Sequence, residues 1–223
     1  MKACHPVLQL TSRGAVVPAA PSSRAGLRDE FRARRCVRVS SFIEPRLLSR
    51  IQAQIAEAAF SDRAHGTIST ELCMQRNACL GLLHFLVNDP AVFRLVENVS
   101  GCRGLRFFVG RVYRLLAQRE HFDSWHADLQ NDHQVGMSVN LSTEPFEGGV
   151  FEIRRHDGAE PLAALANVGP GDAILFSIAD DLEHRVTPMR GSVAKTAFAG
   201  WFGATRDYRD VVHLTSQDPR RSS

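Results

Sequence analysis

The sequence predicts an α+β protein in which a few helices precede a β-sandwich or barrel. Helical patterns occur before Gly101, whereas the chain after Gly104 breaks into short β-rich segments separated by glycine, proline, asparagine and aspartate. Helices followed by a run of short strands are typical of this class. The 223 residues suit one domain, because single β-barrels commonly reach this length.

The first clear helix is predicted to begin at Pro45. Along PRLLSRIQAQIAEAAF, residues 45–60, helical spacing relates Leu47, Leu48, Ile51, Ile55 and Ala59, so they form one apolar face. A proline is favoured in the first turn of a helix, because its missing N–H has no partner there in any case.

Two further helices are predicted before the β-rich half. Asp89 can cap the second, Pro90 occupies its first turn, and Gly101 ends it. The segment ACLGLLHFLV, residues 78–87, is interpreted as a third helix between the other two.

Six segments carry the strand signal, and we predict that they build the sheet: LRFFVGRVYRLL, QVGMSVNLS, GGVFEIRR, DAILFSI, HRVTPM and AKTAFAGWF. Side chains alternate across a strand, so Ser138 and Asn140 share the less apolar face of the second segment. In the last segment Lys195 and Trp201 are predicted on one face, with Phe198 on the other.

The domain plan divides the chain into a leader, one domain and a tail. Residues 1–27 are rich in proline, alanine and serine, and we predict a poorly ordered leader that can be deleted without loss of stability. A single domain is predicted over 28–210, with helical support at about 40–101 and a β-helix core at about 105–203. Residues 211–223 form a C-terminal tail in this plan.

Composition narrows the expected partners and compartment. A net charge of +3 is too small to indicate nucleic-acid binding, and no apolar run approaches the roughly 20 residues that span a bilayer. The five cysteines form no CxxC pair, and an odd count is atypical of a disulfide framework. We therefore expect a cytoplasmic protein with free thiols and without nucleic-acid or membrane partners.

His126, Asp128 and His184 are the candidate metal ligands. His126 and Asp128 lie two residues apart, so an extended segment points both side chains to one side, and His184 begins a later β-rich segment. Two imidazoles and one carboxylate on one face of a metal are typical of non-haem Fe(II) oxygenases. A hydrolytic zinc site is the chemical alternative, although no neighbouring residue suggests its general base.

A family resemblance supports the iron reading. The pieces RVYRLL, WHAD, MSVNLS, FEGGVFEIR, VGPGDAILF, LEHRVTPM and KTAFAGWF follow one another over about residues 105–202. Together they resemble the Fe(II)/2-oxoglutarate-dependent dioxygenases, close to the prolyl-4-hydroxylase-like branch. The resemblance implies a double-stranded β-helix, a jelly-roll or cupin-like barrel, with iron held by His126, Asp128 and His184.

The cosubstrate residues follow from the same resemblance. Relatives place the basic residue that binds the distal carboxylate of 2-oxoglutarate nine or ten positions after the distal histidine, where Val193 and Ala194 stand here. Lys195 follows at the next position, an offset that other branches of the superfamily use, and Arg190 is its rival. Tyr113, by analogy, is expected to hydrogen-bond 2-oxoglutarate. Ser138 and Asn140 are predicted to line the same site.

The implied reaction uses Fe(II), 2-oxoglutarate and O2, with ascorbate as a candidate reductant. It converts 2-oxoglutarate to succinate and CO2 while a C–H bond of the substrate is oxidised. Because Asp128 supplies the carboxylate that halogenases of this superfamily lack, hydroxylation or a related oxidation (desaturation, cyclisation or demethylation) is expected.

The substrate is predicted to be an amino-acid-, peptide- or natural-product-type small molecule, and the oligomeric state is left open. Four arginines could bring charge near the barrel mouth: Arg111, Arg114, Arg154 and Arg155. Among them Arg154 is the predicted contact for a carboxylate or phosphate.

His121 and Asp123 form a second His-x-Asp pair, whose histidine we place at the rim of the barrel. His133 is expected to face solvent.

Three alternatives stay open from the sequence. One is a protein prolyl hydroxylase, and another is a cupin-like metal enzyme that does not use 2-oxoglutarate. The third is a binding module that kept the fold, which the intact set of metal ligands disfavours. A basic residue inside the barrel, Lys195 or Arg190, would distinguish a 2-oxoglutarate-dependent enzyme from the cupin-like enzyme, because it can bind the cosubstrate.

Overall fold

The computed structural model describes residues 6–17, 22–129 and 132–204. The predicted tail at 211–223 lies outside these residues. Within these described ranges there are four α-helices and one short 3-10 turn: α1 Ser22–Arg34, α2 Pro45–Ala56, α3 Ala78–Val87, α4 Pro90–Ser100 and the turn Ala117–Arg119. The three helices predicted from periodicity are therefore confirmed, and α1 is added to them.

The described strands form one small hairpin, one two-stranded sheet whose strands are distant in sequence, and one large sheet. Their bounds are β1 Gln9–Thr11, β2 Gly14–Val16, β3 Cys36–Val39, β4 Phe60–His65, β5 Ser69–Met74, β6 Phe107–Leu115, β7 Asp123–His126, β8 His133–Asn140, β9 Glu147–Gly148, β10 Phe151–Arg155, β11 Ala163–Leu165, β12 Ala173–Ser177, β13 Leu182–Val186, β14 Met189–Arg190 and β15 Lys195–Gly203. The large sheet runs in the order β11-β10-β13-β7-β5-β6-β15-β8-β12-β3, with β4 added to β5.

This antiparallel sheet closes almost completely into a barrel, which confirms the predicted double-stranded β-helix. One face carries the helices over the main hydrophobic core, where Phe108, Phe198 and Phe202 are fully buried. Inside the barrel, two smaller apolar clusters lie around Phe176 and around Tyr113. The candidate site lies in a cavity that both clusters line.

The helix boundaries follow the expected capping chemistry. Asp89 accepts a hydrogen bond from the Ala91 N–H at the start of α4, and Gly101 ends the helix with a φ of 82°. Asn77 caps α3 in the same way by accepting from Leu80 N.

Within the described residues no single helix is long and apolar enough to cross a membrane. Only α3 and α4 taken together meet the criteria of length and composition, and this pair is bent by 57°.

The N-terminal prediction is wrong for the residues that the structure describes. Within 1–27, residues 9–16 form the β1–β2 hairpin and α1 begins at Ser22. Leu8 and Leu10 are 1% and 0% exposed, and the Leu10 N–H donates to the Phe42 carbonyl at 2.7 Å. The apolar residues of this segment follow no helical or long strand period, so the sequence did not reveal that they bury against distant parts of the chain.

Leu10→Ala should lower the free energy of unfolding by about 2–5 kcal/mol, the usual cost of truncating a fully buried leucine. The matched control is Val16→Ala in the same hairpin. Val16 is 50% exposed, so its truncation should change stability by no more than about 0.5 kcal/mol. Urea denaturation measures both variants. Equal stabilities of the two would contradict the packing of this hairpin on the core.

The predicted helical support at 40–101 also contains part of the barrel. β4 and β5 form a hairpin inside that range, and β5 pairs with β6 and, at Ser69, with β7. The Thr70 N–H donates to the Phe122 carbonyl at 3.0 Å, which holds the hairpin against the strand that leads to the site. This hairpin places five cavity-lining side chains, so part of the cavity wall is built by a segment that the sequence did not assign to strands.

Candidate metal centre

His126, Asp128 and His184 are brought together as predicted. Their candidate ligand atoms lie within 4.8 Å of one another, and among the described residues this is the one group that meets such a criterion. Asp128 Oδ2 lies 3.3 Å from His184 Nε2 and 3.7 Å from His126 Nε2. The three side chains are 9–22% exposed, so they are shielded from bulk water but reachable from the cavity.

Strand pairing explains how residues so far apart in the sequence meet. β7 and β13 are antiparallel neighbours, and their register places His126 directly opposite His184. The two imidazole rings consequently have centroids 4.3 Å apart. Asp128 follows where β7 has ended, which lets its carboxylate turn toward both rings.

The hydrogen bonds of His126 decide which of its nitrogens faces the metal position. Nδ1 lies 2.7 Å from the Ser124 carbonyl oxygen and 3.5 Å from Asp123 Oδ1, so Nδ1 carries the proton and donates. Nε2 then faces Asp128 and His184, and its lone pair becomes available to a metal when the proton directed at Asp128 leaves. An outer carboxylate or carbonyl that fixes a ligating imidazole in this way is usual around protein metal sites.

The electrostatics of this group favour positive charge at its centre. Burial disfavours the charged form of Asp128, but hydrogen bonds from His126 and His184 outweigh it and hold the pKa of that carboxyl well below its usual range. Burial acts against protonated His126, yet Asp128 and Asp123 raise the pKa of this imidazole to about 9. A divalent cation can take the place of those protons. Two imidazoles and one carboxylate fit Fe(II) and leave positions open for other ligands.

Trp201 and His133 support the ligand Asp128, a role that sequence reasoning missed. The Trp201 Nε1–H donates to Asp128 Oδ2 at 2.5 Å. His133 stacks on the Trp201 ring with centroids 4.8 Å apart and an interplanar angle of 2°. The expectation that His133 faces solvent is therefore wrong, since its ring lines the cavity. Alternation had placed Trp201 on the inner face, which was the available signal.

Lys195 lies inside the barrel, in the predicted register of β15. It is 2% exposed, and its Nζ donates to the Gly149 carbonyl at 2.7 Å. Burial lowers the pKa of this ammonium from 10.5 to about 8, while the Asp123 carboxylate partly offsets the effect. Gly149 has a φ of 58°, and a Cβ there would lie 2.7 Å from Met189 Sδ and 3.0 Å from Lys195 Cδ. The second glycine of FEGGV is thus needed beside the lysine stem.

The rival position Arg190 does not reach the cavity. Arg190 lies in the two-residue strand β14, is exposed, and pairs in register with Glu147. Lys195 lines the cavity that also contains the three metal ligands. A buried ammonium with one backbone acceptor among the described residues has further donor hydrogens to offer to an anion. This arrangement fits a small dianion that reaches from the metal position to the lysine.

The remaining predicted cosubstrate residues divide between the cavity and the core. Tyr113 and Ser138 line the cavity. Burial raises the pKa of the Tyr113 hydroxyl, so it stays protonated and can donate a hydrogen bond. Asn140 lies outside the lining: its Oδ1 accepts from Ser142 N at 2.9 Å, and its Nδ2 has no partner among the described residues. The prediction for Asn140 is corrected, because its side chain turns back to its own strand end.

The prediction that Arg154 contacts a substrate carboxylate or phosphate is also wrong. It donates to Glu183 Oε2 through Nη2 at 2.8 Å and lies over the Trp125 ring at 4.2 Å, with Arg185 at 4.5 Å from the same ring. Ile153, its neighbour in β10, is the residue opposite His184, so alternation turns Arg154 to the outer face. Of the four arginines considered, Arg111 alone lines the cavity.

The competing His121–Asp123 pair is split by the fold. His121 is 6% exposed, and its Nδ1 accepts from the Leu116 N–H at 3.2 Å, so it is a buried structural residue rather than a rim residue. Asp123 lines the cavity beside His126, and burial raises the pKa of its carboxyl. The pair does not act as a unit.

Comparison with known proteins agrees with this geometry. Residues 111–203 match the family model described as the 2OG-Fe(II) oxygenase superfamily. This stretch contains all three candidate metal ligands, Lys195 and Tyr113. No curated protein sequence matches the chain.

Solved structures share the fold at low sequence identity. A 2OG-Fe(II) oxygenase family oxidoreductase from Burkholderia pseudomallei has a TM-score of 0.65 at 18% identity, over 85% of this chain and 95% of that one. A Pseudomonas putida prolyl-4-hydroxylase has a TM-score of 0.60 at 16% identity, over 82% and 100%. A Trichoplax adhaerens prolyl hydroxylase, solved with a hypoxia inducible factor peptide fragment, has 0.62 at 12%, over 88% and 94%.

Proposed function

We propose that the chain is a 2-oxoglutarate-dependent dioxygenase of the 2OG-Fe(II) oxygenase superfamily, whose family model residues 111–203 match, and that it hydroxylates an amino-acid-, peptide- or natural-product-type small substrate. One observation carries the proposal. A cavity of about 290 Å³ has the three metal ligands and the buried ammonium of Lys195 in its wall. This is the arrangement that a metal-chelating 2-oxoglutarate with a distal carboxylate requires.

In this mechanism the residues of the site have distinct tasks. His126, Asp128 and His184 hold Fe(II), which with 2-oxoglutarate and O2 supplies the oxidative decarboxylation and the oxidation of a C–H bond. Trp201 holds one oxygen of Asp128 and so fixes the carboxylate orientation. Lys195 binds the distal carboxylate of 2-oxoglutarate, and Tyr113 donates a hydrogen bond nearby. Phe151, Ile174 and Phe176 line the cavity and exclude water.

A prolyl hydroxylase acting on a peptide is the second candidate. Its support is the likeness of fold to two prolyl hydroxylases, one of them solved with a peptide. The cupin-like alternative without 2-oxoglutarate has less support, because the basic residue that it would lack is buried inside the barrel.

A cytoplasmic location remains part of the proposal, supported by four free thiols among the described cysteines.

Anaerobic titration tests the assignment of the site directly. Adding Fe(II) and 2-oxoglutarate together to the folded protein should produce the weak visible charge-transfer band of the metal–keto-acid chelate. Glutarate, which has both carboxylates but no keto group, is the matched control and should give no band. If the folded protein gave no band with Fe(II) and saturating 2-oxoglutarate, the proposed site would be wrong.

A further inference from the structure

A second charged cluster lies in the cavity wall under the β4–β5 hairpin, and neither metal binding nor Lys195 uses it. Its centre is Glu71, which is 5% exposed. Arg111 donates to this carboxylate through Nε and, at 3.1 Å, through Nη2, and Arg63 Nη1 donates to it at 3.0 Å. Two guanidiniums around one carboxylate give these three side chains a net charge of +1.

The cluster keeps donors available to the cavity. A guanidinium has five N–H donors. Glu71 takes two atoms of Arg111 and one of Arg63, so Nη1 of Arg111 and both Nε and Nη2 of Arg63 are outside this ion pair. Both arginines line the cavity, and their side chains are 25% and 43% exposed. A single arginine would neutralise Glu71, so the second guanidinium is surplus to a purely structural ion pair.

Arg111 is held rigidly for such a contact. Its Cζ lies 5.7 Å from the ring centres of both Tyr113 and Trp201, within range for cation–π attraction. Trp201 in turn donates to Asp128, so the cluster borders the metal position directly. An anion bound at Arg111 would therefore place the rest of its molecule beside the metal ligands.

Distance separates this cluster from the 2-oxoglutarate anchor. On β15, Arg111 lies opposite Ala199 and Leu115 lies opposite Lys195. The two cationic positions are thus four residues apart along the strands, or about 13 Å at roughly 3.3 Å per residue. Lys195 and the arginine cluster are therefore separate cationic positions in the cavity wall. The distal carboxylate assigned to Lys195 does not account for the arginines.

We propose that the substrate carries a carboxylate, which Arg63 and Arg111 bind while its C–H bond faces His126, Asp128 and His184. The inference rests on the proposed function and names the substrate class for that site. Ile68 and Phe122 also line this end of the cavity, and Phe122 is 36% exposed. They suit an apolar body attached to the carboxylate. Free amino acids and other small organic acids share this chemistry.

Tryptophan fluorescence can measure the recognition without a known substrate. The chain has two tryptophans, and Trp125 lies on the outer face between Arg154 and Arg185. A Trp125→Phe background leaves Trp201, beside Arg111, as the reporter. The probes are propionate, butyrate, pentanoate and hexanoate, each compared with its primary amide, and all twenty proteinogenic L-amino acids. They are titrated anaerobically into the protein loaded with Fe(II) and 2-oxoglutarate.

Carboxylates should change the fluorescence saturably and bind at least about 10-fold more tightly than their amides, because a charged hydrogen-bonded pair is lost in the amide. Arg63→Gln should weaken carboxylate binding by about 10-fold or more and leave amide binding unchanged. Arg119→Gln is the matched control. Arg119 pairs with Asp62 on the exposed side of the same hairpin, 52% exposed, and does not line the cavity.

The outcomes separate the two proposals. Equal affinities for carboxylates and amides, or no saturable change with either, would overturn the inference in a protein that still forms the chelate band. Equal losses in Arg63→Gln and Arg119→Gln would also overturn it, because the effect would then be general charge. Loss of the chelate band in the unmutated protein would instead contradict the proposed function.

Discussion

Asp128→Ala is expected to abolish 2-oxoglutarate turnover. Loss of groups that merely orient metal ligands typically costs about 10- to 100-fold in activity or metal affinity, and the loss of a ligand itself should exceed that range. Asp128 carries the sole carboxylate of the candidate ligand group, so its removal also leaves two imidazoles without their shared anion. Succinate formation from 2-oxoglutarate and the Fe(II) dissociation constant are the quantities to measure.

Asp181→Ala is the matched control for this variant. Asp181 also lies near β13, but it is 51% exposed and pairs with Arg155 on the surface. Its truncation should leave turnover within experimental error, and thermal unfolding should show that both variants are folded. Near-normal succinate formation in folded Asp128→Ala would show that this carboxylate does not hold the metal.

Lys195→Ala is expected to raise the apparent KM for 2-oxoglutarate by about 10- to 150-fold, the factor that corresponds to roughly 1.5–3 kcal/mol for a hydrogen-bonded charged group. The affinity for Fe(II) should change little, because Lys195 belongs to none of the metal contacts. Steady-state kinetics at several 2-oxoglutarate concentrations, together with metal titration, separates the two effects.

Arg190→Ala is the control, since Arg190 is the exposed rival on β14. It should leave the KM unchanged, and a large increase in that variant with a silent Lys195→Ala would reverse the assignment. The pH dependence gives a second check. The dianion binds the protonated lysine, whose pKa is about 8 without ligand, so the affinity for 2-oxoglutarate should fall as pH rises through 8.

Local patterns in the sequence were sufficient for the elements that carry their own signal. The apolar spacing of Leu47, Leu48, Ile51 and Ile55 defined the buried face of α2, where all four are buried. The helix ends at Ala56 and does not reach Ala59, the last position of the predicted face. Alternation along β15 put Lys195 and Trp201 on one face, where both line the cavity. These predictions succeeded because the 3.6-residue and two-residue periods depend on backbone geometry alone.

Pairing between distant segments decided which weakly periodic segments become strands, because alternation within one segment does not specify its partner. The β1–β2 hairpin and the β4–β5 hairpin have weak periodicity, and they become strands because Leu10 packs near Phe42 and because β5 fills the gap between β6 and β7. No property of residues 60–74 taken alone specifies those partners, since hydrogen bonds in a sheet join residues that are far apart in the chain.

The site shows the same division. The sequence by itself determined the candidate metal ligands, because His126, Asp128 and His184 fall in a recognisable order, and it determined which face of β15 carries Lys195. The tertiary structure decided that Arg154 is turned outward onto Trp125, and that Glu71 gathers Arg63 and Arg111 from two other strands. The physical reason is that a side chain's inward or outward direction follows from its own strand, whereas its partner is set by which strands become neighbours when the barrel closes.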